Sequence, residues 1–420
     1  MRTPVKIIVS TLLILSMCFT ISAQGAQEAA KPQIKTIRAL VWSSTYDQVV
    51  VPNNIEADFE AMNPGYDLQF ERIDYDNLDK QILLAHATGN DYDIIQVNHS
   101  SISQFVAGGV LAPLDSYVKS GNIDLSTYSP AAVDVGKVKG VSYAIPFDPD
   151  CRILAYNVKI LKELGMESPK TTDDMLKIAK AAYEKGYYAM AGQLSKIMFC
   201  IYDLGGFLLC FDTHVYEEID GKYVAQLNTP EAKAYMNWAV EMYKYMPKDT
   251  NIDDTLARSM FAQGKVAMMW WTPSQIKSVI PKFPNRSDLE FSVMPVGPTG
   301  KNGSAMGGYH WGIGAGSKAK DAAWVFMEYA NKPEKQALLA RGLPADTKAF
   351  DYPPFNIPDY NMFRAQLETS EYPCPLTSVF PKVAETWHRR FSEALLGVIS
   401  VEEACKKGQE EVQAVLDTIN

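Results

Sequence analysis

The sequence predicts an α/β protein built as two lobes, and three observations carry this prediction. Short apolar runs typical of buried strands alternate with helical stripes, and the strands start about 25–30 residues apart, as in βαβ units. Strands then return after a long helical stretch. The chain has 420 residues, which is more than a single hydrophobic core usually organises.

The first part of the chain consists of strand–helix units. Residues 37–42, 68–72 and 92–97 are predicted strands, and the last is nearly continuously apolar, as expected of a parallel strand buried on both faces. Apolar residues at helical spacing predict helices around residues 55–62 and 78–85. These units favour a parallel sheet covered by helices.

Helices dominate from about residue 158. Thr171 and Thr229 are predicted N-caps, since each precedes a helical stripe and can accept a hydrogen bond from the first turn. Strands return over residues 265–271 and 289–294. This order requires strands from distant parts of the sequence to share one lobe.

The N-terminus has the pattern of a secretory signal. An apolar stretch over residues 7–21 follows basic residues and precedes the small residues Ser22-Ala23. We therefore expect a signal peptide over residues 1–23 and a flexible tether over residues 24–34. A rival interpretation makes Cys18 a lipid-carrying cysteine. Both interpretations place the mature protein in the periplasm or outside the cell.

Composition and motifs narrow the function classes. The formal net charge of −9 disfavours nucleic acid or an anionic membrane surface as a partner. The histidines show no metal-ligand spacing, and Cys-x-x-Cys and P-loop motifs are missing from the sequence, so no metal or cofactor is expected. Residues 314–319 fit a loose dinucleotide pattern but lie far from the first βαβ unit, so a glycine turn is favoured.

The cysteines allow two interpretations. Cys200 and Cys210 are the closest pair in sequence and could bridge in an oxidising compartment. The favoured alternative is that the cysteines are buried free thiols that pack as small hydrophobic side chains.

Four stretches of the chain together resemble one family. These are AHATGNDYDIIQV at 85–97, YAIPFDPDCRILAYN at 143–157, FAQGKVAMMWW at 261–271 and GGYHWGIGAGSKAKDAAWVFMEYAN at 307–331. They resemble the extracellular solute-binding proteins of bacterial ABC importers, of the carbohydrate-binding kind. The resemblance implies a two-lobe, periplasmic-binding-protein-like fold whose discontinuous lobes are joined by hinge crossover strands.

The resemblance also implies the lobe boundaries. Residues 35–150 and 262–312 are expected in the first lobe, and residues 151–261 and 313–420 in the second. The implied partners are a small carbohydrate or polyol and the membrane permease subunits of the importer. A monomer without catalytic activity is expected.

The residue types present suit a sugar. A sugar presents C–H groups on its ring faces and hydroxyls at its edge, so it is bound by flat aromatic side chains and by polar groups that satisfy the hydroxyls. Ligands of open α/β sheets bind beyond the carboxyl ends of the strands. Candidates from such positions are Trp42, Ser44, Asn98, His99, Asp148, Asp150, Arg152, Trp271, Tyr309 and Trp311.

Some of these candidates gain weight from the resemblance. The stretch from Asp150 to Asn157 matches a family pattern whose Asp and Arg face the cleft, here Asp150 and Arg152. An aromatic residue directly after paired glycines stacks on sugar in the family, and Tyr309 holds that place. Core packing is the alternative for each aromatic candidate.

Two other functions remain open. A receptor for a charged solute, such as a polyamine or peptide, would contain many cleft carboxylates and few amides. A glycoside-active enzyme would use a pair of carboxylates, but Asp148 and Asp150 lie two positions apart on one predicted strand. Catalytic carboxylates usually come from separate elements on opposite sides of the sugar.

Overall fold

The computed structural model describes residues 34–249 and 252–420. The expected signal peptide, Cys18 and the tether up to residue 33 lie outside the described residues. The strands span Lys35–Trp42 (β1), Tyr66–Ile73 (β2), Ile94–Asn98 (β3), Lys137–Val138 (β4), Val141–Ser142 (β5), Ala144–Asp150 (β6), Ile153–Asn157 (β7), Tyr216–Ile219 (β8), Lys222–Ala225 (β9), Met268–Trp271 (β10), Leu289–Ser292 (β11), Ser304–Ala305 (β12), Gly307–Ile313 (β13) and Ser370–Glu371 (β14).

The α-helices surround these strands. The predicted N-caps Thr171 and Thr229 are confirmed, because their side chains accept hydrogen bonds from Asp174 and Ala232. The helices span Ser43–Thr45 (α1), Ile55–Met62 (α2), Tyr75–Ala87 (α3), Ile102–Ala107 (α4), Asp115–Ser120 (α5), Pro130–Val135 (α6), Val158–Leu164 (α7), Thr172–Glu184 (α8), Ile197–Tyr202 (α9), Pro230–Lys244 (α10), Asp254–Ala262 (α11), Ser274–Ser278 (α12), Lys320–Ala330 (α13), Pro333–Leu339 (α14), Asn361–Leu367 (α15), Phe380–Leu395 (α16) and Val401–Leu416 (α17).

The first lobe is organised by a five-stranded sheet in the order β2-β1-β3-β13-β6. Strand β1 is parallel to β2 and β3, whereas β13 is antiparallel to both β3 and β6. Alternate residues of β1 enter different cores: Ile37, Ala39 and Val41 pack on one face of the sheet, and Leu40 packs on the other. The predicted α/β fold is confirmed, but the predicted parallel sheet is a mixed sheet, because β13 is antiparallel to both of its neighbours.

The second lobe is organised by a three-stranded sheet in the order β10-β7-β11. Its side chains also alternate between two cores, because successive residues of a strand point to opposite faces. Leu154 and Tyr156 of β7 pack in one core with the helices α8, α10 and α16, whereas Ile153 and Ala155 pack in the other.

Two segments lie in a different lobe from the one expected. Strands β10 and β11, within the segment 262–312 assigned to the first lobe, pair with β7 of the second. Helix α13, within the segment 313–420 assigned to the second lobe, packs on the first sheet through Ala322 and Phe326. Local strand and helix patterns do not specify a partner sheet, so the expected boundaries require this correction.

Short extended segments connect the two lobes. Residues 151–152 join β6 directly to β7, and β12 lies between β11 and β13. The backbone amide of Arg152 donates to Ser304 Oγ at 2.8 Å, and the same hydroxyl donates to the carbonyl of Arg152 at 2.7 Å. Strand β12 pairs in parallel with β14. These crossing segments are therefore hydrogen-bonded to one another.

The described cysteines are buried free thiols: Cys151, Cys200, Cys210, Cys374 and Cys405. This agrees with the favoured interpretation of the cysteines and leaves Cys200 and Cys210 unbridged. Within the two described ranges, none of the helices combines the length and the apolar character needed to span a membrane.

Candidate functional site

A bulge in the first sheet positions Tyr309 and Asp148 at the edge that faces the second lobe. Tyr309 pairs with Asp148, but the next residue, His310, pairs with Pro146, so Phe147 is the extra residue of β6. Gly308 has a φ of 121°, and a Cβ there would lie 2.3 Å from the carbonyl oxygen of Asp148. A glycine is therefore required for β13 to approach β6 so closely.

An aromatic group lies at the carboxyl ends of β1 and β3. The ring of Trp42 lies 5.4 Å from that of Tyr75 and 5.9 Å from that of Tyr309, measured between centroids. The Tyr75 side chain is 43% exposed, whereas Trp42 is half-buried. Tyr309 is only 7% exposed and forms the floor beneath them. Trp42 and Tyr309 are the two members of this group that the sequence predicts as ligand-binding residues.

Polar side chains border this aromatic group. The guanidinium carbon of Arg341 lies 4.6 Å from the centroid of the Trp42 ring. Asp148 pairs with Tyr309, and Asp150 follows on the same strand. We call Trp42, Tyr75, Asp148, Asp150, Tyr309 and Arg341 the cleft cluster.

Asp148 anchors a neighbouring loop. Its Oδ1 accepts a hydrogen bond from the backbone amide of Gly342, while its Oδ2 is buried and has no partner among the described residues. Burial raises the pKa of Asp148 to about 6, an effect that the nearby Arg341 partly offsets. One carboxylate oxygen thus has a structural role, and the other retains its capacity to accept a hydrogen bond.

Arg152 joins carboxylates from both lobes. Its NH1 donates to Asp150 Oδ1 at 3.0 Å and its Nε donates to Asp203 Oδ1 at 3.1 Å. Burial alone would lower the pKa of Arg152, but the two carboxylates outweigh burial and raise it. Burial raises the pKa of Asp203 to about 6, although Arg152 counteracts this. Since Arg152 is already paired twice, it positions Asp150 at the cleft.

Both ring nitrogens of His99 form hydrogen bonds within the protein. Its Nδ1 lies 2.9 Å from the carbonyl oxygen of Gly308, and its Nε2 lies 2.7 Å from the hydroxyl of Tyr202. A carbonyl can only accept, so Nδ1 carries the proton and Nε2 accepts from Tyr202. Burial lowers the pKa of His99 to about 4. His99 thus bridges the lobes, and neither ring nitrogen is available to a ligand.

Asn98 and Ser44 flank the cleft cluster. The side-chain oxygen of Asn98 accepts from the backbone amide of Ser100 at 3.0 Å, and its Nδ2 donates to the Tyr75 hydroxyl at 3.1 Å. Asn98 therefore orients Tyr75. Ser44 is half-buried in the short helix α1, directly after Trp42.

Trp271 and Trp311 pack in hydrophobic cores and do not join the cleft cluster. Trp271 is fully buried in the core that contains Ile153 and Ala155, with its ring 5.6 Å from that of Phe261. Trp311 is fully buried and stacks on Phe147 at 3.9 Å. Their burial contradicts the prediction that Trp271 and Trp311 contact the ligand directly. Alternation along a strand predicts that two residues share a face but does not predict what covers that face.

Sequence reasoning missed several residues of this region. Tyr75 opens a helix, Arg341 lies in a loop, and Tyr202 ends a helix of the second lobe. Tyr372 packs on His99, with ring centroids 5.3 Å apart. They come from distant parts of the sequence and are brought together by the fold.

A concavity between the lobes lies beside this region. It has a volume of about 1180 Å³ and is lined by residues such as Tyr143 of the first lobe and Glu217 and Tyr372 of the second. Tyr372 therefore contacts both this groove and His99. Among the described residues that line this groove, no aromatic side chains form a cluster comparable to that around Trp42.

Comparison with known proteins identifies relatives of similar architecture. The family model described as bacterial extracellular solute-binding protein matches residues 42–337. A binding protein of Brucella abortus (strain 2308) is 24% identical over 383 residues, covering 86% of this chain and 89% of the relative. The maltotriose-binding protein of Pyrococcus abyssi is 24% identical, covering 73% of this chain and 65% of the relative.

A solved structure supports the fold. The sugar-binding protein MalE from Xanthomonas citri superimposes with a TM-score of 0.80, covering 92% of this chain and 98% of that protein. The sequences are 22% identical, so this similarity concerns the fold alone. The two-lobe architecture expected from the sequence is confirmed.

Proposed function

The chain belongs to the bacterial extracellular solute-binding protein family, and on that premise we propose that it captures a carbohydrate or polyol between its lobes for an ABC importer. The ligand would contact both lobes and so stabilise a closed form, which the permease subunits would recognise. We further propose that the protein acts as a monomer in the periplasm or at the cell surface. Lipid anchoring through Cys18 is the alternative to a mature protein without an anchor.

One observation carries the choice of ligand. Trp42, Tyr75 and Tyr309 converge at the carboxyl ends of the strands in the first lobe, beside Asp148 and Asp150. Aromatic rings offer apolar area to sugar C–H groups, and carboxylate oxygens accept hydrogen bonds from hydroxyls. The combination suits a polyhydroxylated ring. The sugar named for the maltotriose-binding relative is consistent with it.

A cationic solute is the second candidate, because carboxylates outnumber amides near the cleft cluster. Asp148, Asp150 and Asp203 contribute carboxylates, whereas the amide of Asn98 is occupied by Ser100 and Tyr75. Arg152 and Arg341 offset part of this negative charge. The balance favours a neutral ligand, but an amine would also find acceptors here.

We propose that the site binds without chemistry. Asp148 and Asp150 both belong to β6, and Asp148 already accepts a backbone amide from Gly342. A glycosidase places its acid and its base or nucleophile on opposite sides of the scissile bond. Two carboxylates on one strand do not provide that arrangement.

A ligand panel tests the proposal. The purified mature protein is screened by thermal shift and tryptophan fluorescence against sugars, polyols and polyamines, with chromatographic analysis of the recovered ligand. We expect saturable stabilisation by a sugar or polyol that is recovered intact. Stabilisation by polyamines alone would favour the cationic-solute receptor, and a shortened oligosaccharide would show that the protein is an enzyme.

A further inference from the structure

Arg341 covers the aromatic residue that the proposed function requires. Its guanidinium carbon lies 4.6 Å from the centroid of the Trp42 ring, within the distance at which a cation is attracted to an aromatic face. The Nε of Arg341 is buried and has no hydrogen-bond partner in the described part of the chain. The guanidinium contacts the indole and also lies close enough to Asp148 to offset part of the rise that burial causes in the pKa of that carboxyl.

The backbone around Arg341 is fixed to the first sheet. The amide of Gly342 donates to the Asp148 carboxylate, and the amide of Leu343 donates to the carbonyl of Pro149 at 3.0 Å. A Cβ on residue 342 would lie 2.8 Å from Asp148 Oδ1. This close attachment holds the loop against β6 and limits where the Arg341 side chain can reach.

Two further rings lie close to the indole of Trp42. The rings of Tyr75 and Tyr309 lie 5.4 Å and 5.9 Å from it, measured between centroids. A sugar ring that stacks on Trp42 needs a free face of the indole. The guanidinium occupies such a face, so the ligand and Arg341 compete for one surface.

We propose that Arg341 is a specificity-determining residue that covers Trp42 and must be displaced by the incoming ring. This inference rests on the proposed function. Displacement costs the contact between the guanidinium and the indole, so every stacking ligand binds more weakly than it would to an unshielded Trp42. Ligands that satisfy the released guanidinium with hydroxyl oxygens recover part of this cost, so polyhydroxylated rings are favoured over rings that only stack.

Calorimetric titration of Arg341 variants tests this inference. Wild type, Arg341→Ala and Arg341→Lys are titrated with the tightest-binding sugar of the panel. Arg364→Ala is the matched control, because Arg364 also lies over a ring, 5.7 Å from the centroid of Phe350, and that ring is not part of the cleft cluster. We expect Arg341→Ala to lower Kd by about 2- to 10-fold, given the usual strength of cation–π contacts. Arg341→Lys should give an intermediate value, and the control should match wild type.

The alternative outcomes separate this inference from the proposed function. If Arg341→Ala weakens sugar binding or leaves Kd unchanged, Arg341 does not shield Trp42, although sugar binding itself stands. If no variant and no wild-type sample binds any sugar or polyol, the proposed function fails as well.

A ligand-free measurement tests the same contact independently. Arg341→Ala should change the near-ultraviolet circular dichroism of the wild-type protein, and this change should be absent in a Trp42→Phe background. The same change in both backgrounds would overturn the inference.

Discussion

The Nε2 atom of His99 lies 2.7 Å from the phenol oxygen of Tyr202, so a hydrogen bond joins the end of β3 in the first lobe to the helix α9 of the second. The ring of Tyr202 also lies 5.5 Å from the guanidinium carbon of Arg152, at the crossing between the lobes. This contact is buried on both sides. It therefore couples the relative position of the lobes to two side chains at the base of the cleft.

Removing the Tyr202 hydroxyl should destabilise the protein. In Tyr202→Phe the buried Nε2 of His99 loses its donor, and an unsatisfied buried acceptor costs about 1–3 kcal/mol. We expect the free energy of unfolding, measured in urea, to fall by that amount. Tyr352→Phe is the control, since Tyr352 is 41% exposed and should leave stability unchanged. An unaltered midpoint for Tyr202→Phe would show that the bond does not contribute.

Two buried histidines should make the protein sensitive to acid. Burial lowers the pKa of His99 to about 4 and that of His310 to about 3, whereas an unfolded histidine titrates near 6.5. Between these values the unfolded chain binds more protons, so the free energy of unfolding falls as the pH falls below about 6.5. Asp148 and Asp203 act in the opposite direction, because burial raises each pKa to about 6.

A histidine variant isolates one contribution to this pH dependence. Wild type and His99→Gln are unfolded in urea at pH values from 7 to 4, where the two aspartates contribute equally to both proteins. The stability difference between them should shift by about 2–3 kcal/mol over this range, to the disadvantage of wild type at low pH. A difference that stays constant would mean that the imidazole is not kept neutral by burial.

Substitution should affect ligand binding at one tryptophan, Trp42, and stability at another, Trp271. Trp42→Ala should weaken sugar binding at least about 10-fold, because a large aromatic contact is lost. Trp271→Phe should leave Kd unchanged but lower the free energy of unfolding by about 1–3 kcal/mol, because Trp271 is fully buried in a core. Calorimetric titration and urea unfolding of both variants measure these effects. Loss of binding in Trp271→Phe without loss of stability would contradict the assignment.

Two glutamates should protect the edge of the first sheet. Glu60 Oε1 accepts from the amide of Leu68 at 3.0 Å, and Glu56 Oε1 accepts from the amide of Phe70 at 2.9 Å. Since β2 is an edge strand, these carboxylates cover amides that could otherwise pair with another chain. The double change to alanine should therefore promote self-association, as measured by light scattering.

Glutamine provides the matched control for this prediction. Changing Glu56 and Glu60 to Gln retains an acceptor oxygen at each position, so that variant should associate no more than wild type. Equal association of the glutamine and alanine variants would indicate that charge, rather than covered amides, keeps the edge free.

Local patterns were sufficient to predict several of the strands and helices. The apolar run at 92–97 and the stripe at 78–85 correspond to β3 and α3, because burial imposes those periods directly. The glycine pair at 307–308, which carries part of the family resemblance, lies where β13 approaches β6 closely. These features depend on neighbours in the sequence.

The rest of the site depends on contacts between distant segments. Trp271 has the strand-end position of a ligand-binding residue, but Phe261 and Phe291 cover it. His99 follows a strand as expected, yet Tyr202 and Gly308 occupy its nitrogens. The pattern of residues along one sequence does not show which distant side chains will pack against Trp271 or His99.

A crystal structure of the complex with the tightest-binding sugar or polyol tests the central claim most directly. We predict a ligand ring stacked on Trp42, with a hydroxyl within hydrogen-bond distance of Asp150 and contacts to both lobes. A ligand bound elsewhere, for example in the groove lined by Tyr143 and Glu217, with Trp42 still covered by Arg341, would contradict it.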